Sequence, residues 1–242
     1  MRFADDRASA RPTGINAAGA ALLTVIVLAL LLNWASEHGA VRDPQLAVAL
    51  SYLVVWIPLC GAVLSLCYVR GFRSIATDLG LRIRPLDLLW GLTLGVLARV
   101  GATVFEIVGY GRMGTAGATL GEPTRDLWWV FAVVLAPVLF SPLIEEVFFR
   151  GLLLRAVART AAFNGAAPRG ALAIALVVSA GTFALLHVSG TDSLTVAAVV
   201  GASTLLFGVG AGALAAITGR AGGAVVAHIT FNALVVGPSL LG

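Results

Sequence analysis

The sequence contains no lysine, only two cysteines and few charged residues of any kind. All 16 basic residues are arginine, and charged residues make up 12% of the 242 positions. A soluble domain needs a polar exterior, so a chain that is 59% hydrophobic is not expected to fold as one. Cys60 and Cys67 lie in one apolar run, about 10 Å apart along a helix, which is too far for a disulfide. The absences therefore exclude a soluble fold and a disulfide scaffold.

The net charge of +4 does not indicate nucleic-acid binding. The arginines are scattered between apolar runs rather than clustered on one face, and this pattern fits control of membrane topology better. Runs of about 18 or more apolar residues are candidate membrane spans, because ~20 helical residues cross a hydrocarbon core of about 30 Å. The first run is as long as a full span, which favours an uncleaved helix over a signal peptide. We predict an integral protein of a bacterial-type cytoplasmic membrane, in contact with the lipid bilayer.

The apolar runs and the turn residues between them predict an all-α, polytopic transmembrane bundle of about seven helices. The predicted helices cover residues 14–35, 45–69, 86–109, 127–160, 170–188, 193–218 and 222–241. Residues 1–126 hold the first three helices with their loops, and residues 127–242 hold a four-helix core. No linker is long enough to separate these parts, so one integral membrane domain is expected overall.

The distribution of arginine predicts the orientation of the bundle. With the N-terminus in the cytoplasm, the outer segments hold only three arginines and the inner segments hold eleven, which is the positive-inside pattern. The outer ones are Arg42, Arg112 and Arg125; the inner ones are Arg2, Arg7, Arg11, Arg70, Arg73, Arg82, Arg84, Arg155, Arg159, Arg169 and Arg220. The seventh helix would then end on the outer side.

Several ionisable residues lie inside the predicted spans, where a charge at the helix centre costs about 2.5–3.5 kcal/mol on insertion scales. Arg99 and Glu106 are two turns apart on the third helix. Their long side chains would either approach each other or extend toward opposite membrane surfaces. We predict a structural role for this pair.

The fourth predicted helix carries the most informative group, in the segment SPLIEEVFFRGLLL. Glu146 and Arg150 are four residues apart with the acid on the N-terminal side, an order that favours an ion pair on one helix. Glu145 points about 100° away around the helix and lacks that partner. A carboxylate without a partner in a poorly solvated site is suited to accept a proton, so we predict Glu145 to be a catalytic base.

Two further helices carry polar pairs. His187 follows Phe183 by one turn on the fifth helix, and Asn232 follows His228 by one turn on the seventh, so each pair projects from one face. The midpoint between Glu145 and His187 falls in the loop between the fourth and fifth helices, which places both at about the same depth. His228 lies only about 12 Å into its helix, which agrees less well unless the hairpin of the fourth and fifth helices protrudes.

These motifs resemble those of a known family. EEVFFRG fits E-E-x-x-x-R, FALLH fits F-x-x-x-H and HITFN fits H-x-x-x-N, in that order along the chain. The combination is similar to the CPBP family, the CAAX-protease and bacteriocin-processing membrane proteins, which include the type II CAAX prenyl endopeptidase and the Abi proteins. The resemblance covers residues 127–241, and every motif position matches.

The resemblance implies an intramembrane endopeptidase of the glutamic type, formerly classed as a metalloprotease. Its substrate would be a membrane-associated protein or peptide, prenylated or not, processed at a CAAX sequence or a leader. Carried over to this chain, Glu145 and His187 would activate a water, while His228 and Asn232 would donate hydrogen bonds to the tetrahedral intermediate. Such oriented donors in a water-poor site stabilise developing charge strongly. Glu146 would complete the catalytic set.

Arg150 and Phe183 are predicted to support the site, and no cofactor is expected as the first choice. One alternative is zinc, since Glu145, His187 and His228 would form a two-histidine, one-carboxylate centre with an open position. The H-E-x-x-H signature is lacking, so it offers no support. The other alternative is a non-catalytic transporter or immunity protein that uses the same buried charges, although we find no repeated halves.

Overall fold

The computed structural model describes residues 14–70, 74–114, 125–191 and 193–241. All regular elements within these ranges are helical, which confirms the predicted all-α, polytopic bundle. The helices are α1 (Ile15–Glu37), α2 (Pro44–Arg70), a short α3 (Ile75–Asp78), α4 (Pro85–Tyr110), α5 (Leu127–Phe163), α6 (Pro168–Val188), α7 (Leu194–Thr218), α8 (Gly222–Val236) and a short α9 (Pro238–Leu241).

Six of these helices are long and apolar enough to cross a membrane, namely α1, α2 and α4 to α7. The seventh predicted helix is shorter than expected, because α8 ends at Val236 and Pro238 opens a separate helix. Proline lacks an N–H and restricts the residue before it, which explains the break. With 15 residues, α8 is about 22 Å long, less than the thickness of the hydrocarbon core.

The orientation with a cytoplasmic N-terminus stays a prediction. Four of the arginines on which it depends, Arg2, Arg7, Arg11 and Arg73, lie outside the described residues, as does the side chain of Arg70. The two cysteines, Cys60 and Cys67, are free thiols, as their spacing predicts.

Helix α5 is 37 residues long and changes its hydrogen-bond register along its length. Two stretches, Val130–Phe140 and Val147–Leu153, are π-helical, and α-helical turns flank and separate them. In a π-helix each N–H donates to the carbonyl five residues earlier rather than four. The carboxylate of Asp126 caps the start by accepting the N–H of Trp129 at 2.7 Å. At up to ~55 Å, α5 is longer than a membrane core, in agreement with a protruding α5–α6 hairpin.

Glycines allow close contact between the helices that carry the site. A Cβ built on Gly95 of α4 would come 2.6 Å from the carbonyl oxygen of Ala227 in α8. A Cβ on Gly208 of α7 would come 3.1 Å from the Cβ of Ala180 in α6. Small residues at such positions let helix backbones approach closely in lipid, where packing rather than hydrophobic exclusion holds helices together.

Two ion pairs stabilise α4. Arg220, in the turn between α7 and α8, donates from Nε and Nη2 to the carboxylate of Asp87 at 3.0 and 2.7 Å. This hydrogen bonding raises the pKa of Arg220. Arg99 donates from Nη1 and Nη2 to Glu106 at 2.6 and 2.9 Å, so these two side chains approach each other. Both pairs neutralise charge within or beside a membrane span.

Candidate active site

The side chains predicted to form the site come together where α5, α6, α7 and α8 meet. Glu145, Glu146 and Arg150 project from the middle of α5, around the point where the second π-helical stretch begins. His187 lies one residue before the end of α6, and His228 lies in the second turn of α8. Residues that are far apart in sequence therefore come together, and the proximity of Glu145 and His187 agrees with the depth expected from the hairpin.

Glu146 and Arg150 form the predicted ion pair, and both side chains are completely buried. Arg150 donates from Nη1 to Oε1 of Glu146 at 2.8 Å, and Nδ1 of His228 donates to the same oxygen at 2.9 Å. Arg150 also donates from Nη2 to the carbonyl of Gly208 at 3.3 Å. Glu146 thus links α5 to α8, and its carboxylate balances the charge of Arg150.

Aromatic rings surround the guanidinium of Arg150. Its Cζ lies 4.6 Å from the ring centre of Phe183, and 5.8 and 5.6 Å from those of Phe149 and Phe207. Cations are attracted to aromatic faces, and a desolvated pair gains more from this than an exposed one. Phe183 contacts Arg150 from the α6 side, and its supporting role in the site stays a prediction.

Glu145 is in a different position from Glu146. Its Oε2 is buried and has no hydrogen-bond partner among the described residues, as is also true of Oε2 of Glu146, but no ion pair holds the Glu145 carboxylate as Arg150 holds that of Glu146. Nε2 of His187 lies 3.9 Å from that oxygen. This separation is longer than a hydrogen bond, and it leaves both atoms available to a third group. The side chain of His187 is 33% exposed and that of Glu145 is 12% exposed, so the pair lies on the accessible side of the site.

The hydrogen bonds of the two histidines determine which ring nitrogen carries the proton. Nδ1 of His187 donates to the carbonyl of Phe183 at 2.8 Å, and Nδ1 of His228 donates to Glu146. In a neutral imidazole, Nε2 then holds the lone pair. His187 therefore presents an acceptor toward Glu145.

Asn232 is only partly available for the role predicted for it. It lies one turn after His228, but its Nδ2 donates to the carbonyl of Pro137 in α5 at 2.7 Å. An amide nitrogen has two hydrogens, so one remains for another acceptor. Whether Asn232 donates to a reaction intermediate stays a prediction.

The sequence reasoning missed the contribution of α2. Tyr52 donates its hydroxyl hydrogen to the carbonyl of Ala132 at 2.8 Å, and Trp56 donates from Nε1 to Oγ of Ser141 at 3.0 Å. Both aromatic residues lie on one face of α2, four residues apart, and contact the stretch that precedes Glu145. The sequence signal that could have indicated this contact is the pair of prolines, Pro137 and Pro142, inside an apolar helix.

A zinc site can be judged from the donor atoms. Both histidines have Nδ1 fixed by an acceptor, which is typical of metal-binding histidines and would leave Nε2 as the ligand. In the part of the chain that the structure describes, however, no three His, Cys, Asp or Glu side chains are grouped closely enough to hold a metal ion. The described residues as placed do not form the three-ligand centre.

A helical membrane bundle with carboxylates and histidines gathered between its spans is typical of a membrane protein with a functional site, since such groups are costly in lipid. A comparison with protein families identifies the class further: residues 126–234 match the family described as type II CAAX prenyl endopeptidase Rce1-like. This region contains all three motifs, and it is similar to the CPBP/CAAX-protease family of membrane peptidases. No curated protein and no solved structure matches the chain.

Proposed function

We propose that this protein is an intramembrane endopeptidase that hydrolyses a peptide bond with water activated between Glu145 and His187. The position of the Glu145 carboxylate carries the proposal, because its Oε2 is buried, has no hydrogen-bond partner among the described residues and lies 3.9 Å from Nε2 of His187. One water molecule can hydrogen-bond to both atoms across such a gap. Both atoms are acceptors, so the water would present its own lone pairs to the substrate.

In the proposed reaction, Glu145 takes a proton from this water while the oxygen attacks the carbonyl carbon of the scissile bond. The carbonyl oxygen of the tetrahedral intermediate becomes an anion. When the intermediate collapses, the C–N bond breaks and Glu145 returns the proton to the amine leaving group. A positioned acid–base group of this kind contributes about 10²–10⁴-fold to the rate.

His228 is the candidate donor to the anionic oxygen. Because its Nδ1 is bound to Glu146, Nε2 is the nitrogen available to the substrate, and it donates only when both ring nitrogens carry protons. The hydrogen bond from Nδ1 to Glu146 fixes the orientation of the ring. The second N–H of Asn232 would assist. Preorganised donors of this kind act strongly where water is excluded.

The proposed substrate is a membrane-associated protein or peptide. The matched family is described as a CAAX prenyl endopeptidase, which supports a CAAX-type chain as the first candidate. An unprenylated leader peptide is the other class that the motifs imply. A pair of reporter peptides with the same sequence, one prenylated and one not, distinguishes the two classes when cleavage by the purified protein in lipid nanodiscs is followed by mass spectrometry.

The test of the mechanism is the Glu145→Gln variant, which keeps the shape of the side chain and removes the base. Membranes that carry this variant should accumulate an uncleaved precursor that is absent from wild-type membranes, as read by proteomics. Glu106→Gln is the matched control, since it also neutralises a carboxylate inside a span but lies in the Arg99 ion pair. Near wild-type turnover by Glu145→Gln on the identified substrate would show that the assigned base is wrong.

A further inference from the structure

Two prolines interrupt the hydrogen bonding of α5 just before the site. Ser141 donates its N–H to the carbonyl of Ala136, five residues earlier, so the π-helical register extends to this point. In that register the residue at position 137 would donate to the carbonyl of Ala132, and the residue at position 142 would donate to the carbonyl of Pro137. Proline has no N–H, so both carbonyls lose their helix partner.

Each of these two carbonyls receives a hydrogen bond from a side chain of another helix instead. The hydroxyl of Tyr52 in α2 donates to Ala132 at 2.8 Å, and the amide of Asn232 in α8 donates to Pro137 at 2.7 Å. The two hydrogen bonds follow the same rule, since each side chain donates to the carbonyl five residues before a proline. A backbone carbonyl without a hydrogen-bond donor is unfavourable within a membrane. The two side-chain donors therefore stabilise this stretch of α5.

The register of this stretch determines where Glu145 points. A change from five-residue to four-residue pairing shifts the following residues by about one position, roughly 100° around the helix axis. Such a rotation would take Glu145 away from His187. The bonds that replace the missing N–H groups therefore act on the geometry of the Glu145–His187 pair.

We propose that Tyr52 is a positioning residue of the active site, contributed from outside the matched family region. Its hydroxyl and the amide of Asn232 stand in for the two N–H groups that the prolines lack. Together they stabilise the π-helical stretch Val130–Phe140 in the hydrogen-bond register that directs Glu145 toward His187. This inference rests on the proposed peptidase function for its kinetic readout, and it has a second readout that does not.

The kinetic test is a double-mutant cycle of Tyr52→Phe and Pro137→Ala. Tyr52→Phe should lower kcat about tenfold, a change of about 1.4 kcal/mol, with KM unchanged, because the base is displaced while the substrate contacts remain. Pro137→Ala restores an N–H that can serve Ala132. In the Pro137→Ala background, Tyr52→Phe should therefore have little further effect on kcat. Tyr68→Phe, an exposed tyrosine on the same helix, is the matched control and should behave as wild type.

The second test measures thermal unfolding of the purified protein and needs no substrate. Asn232→Ala should lower Tm in the wild-type background but much less in the Pro142→Ala background, and the Tyr52 cycle should show the same coupling. Effects of Tyr52→Phe that are equal in both backgrounds, in kcat and in Tm, would overturn the inference even if the peptidase activity is established. Coupled Tm values without any detectable cleavage would instead support the inference and count against the proposed function.

Discussion

Replacing Glu146 with glutamine separates the stabilising role of this carboxylate from the chemistry of its neighbour. The side chains of Glu146 and Arg150 are both 0% exposed and joined at 2.8 Å, and the same carboxylate holds His228 at 2.9 Å. The substitution keeps the shape of the side chain but leaves the guanidinium buried without a counter-charge. Breaking a buried pair in this way costs about 3–5 kcal/mol.

For a protein of this size, about 1 kcal/mol of lost stability lowers Tm by about 2–4 °C. Glu146→Gln should therefore lower Tm by roughly 6–20 °C in thermal unfolding of the detergent-solubilised protein. Glu145→Gln is the matched control, because it makes the same chemical change one residue earlier, where the carboxylate is not within hydrogen-bond distance of His187. Its Tm should stay close to that of the wild type while cleavage is lost.

The double variant Glu146→Gln/Arg150→Met tests the cause of the instability. Replacing both members of a buried ion pair with uncharged residues is often neutral or stabilising. Methionine would occupy the space among the aromatic rings around position 150 and make favourable sulfur–aromatic contacts. The double variant should recover most of the lost Tm but no activity, because His228 lacks its carboxylate. If Glu146→Gln is as stable as Glu145→Gln, or if the double variant is the less stable of the two Glu146 variants, the reasoning is refuted.

Three further predictions concern the metal, the histidines and the topology. Elemental analysis should find far less than one zinc per chain, and stoichiometric zinc that is lost in both His187→Ala and His228→Ala would contradict the metal-free mechanism. In kinetic assays, His228→Ala should lower turnover by about 10²–10³, as for loss of an oxyanion donor, and His187→Ala should lower it further. A reporter fused after Gly242 should read as external, whereas a cytoplasmic reading would mean that the short α8 does not cross the membrane.

The side-chain cluster could be predicted from sequence where a single helix determines the geometry. A spacing of four residues places two side chains on one face, so the Glu146–Arg150 pair followed directly. The shared depth of Glu145 and His187 followed from the symmetry of a hairpin about its loop. The same local rule indicated that Arg99 and Glu106 could reach each other, although it left the alternative of separate snorkelling open.

Contacts between helices could not be predicted in the same way. The bond between His228 and Glu146 depends on how α5 and α8 are rotated and displaced, and uniform apolar sequence carries little information on rotation in lipid. The π-helical stretches of α5 were missed because their apolar residues fit α-helical and π-helical periodicity equally well. Tyr52 was missed for a related reason. It donates to the backbone carbonyl of Ala132, which lacks a helix donor because of Pro137, and both residues are far from Tyr52 in the sequence.

The glycine contact between α4 and α8 has a consequence for how the two halves of the chain depend on each other. Gly95 lies in the half that contributes none of the motif residues, and the carbonyl it faces belongs to Ala227, the residue directly before His228. A methyl group added at Gly95 would collide with the carbonyl oxygen of Ala227. The peptide unit between Ala227 and His228 would shift, and the imidazole of His228 would be displaced with it. Selection on the chemistry of His228 would therefore also act on Gly95, a position more than a hundred residues earlier in the chain. The N-terminal half thus helps to determine the geometry of the half that carries the motifs.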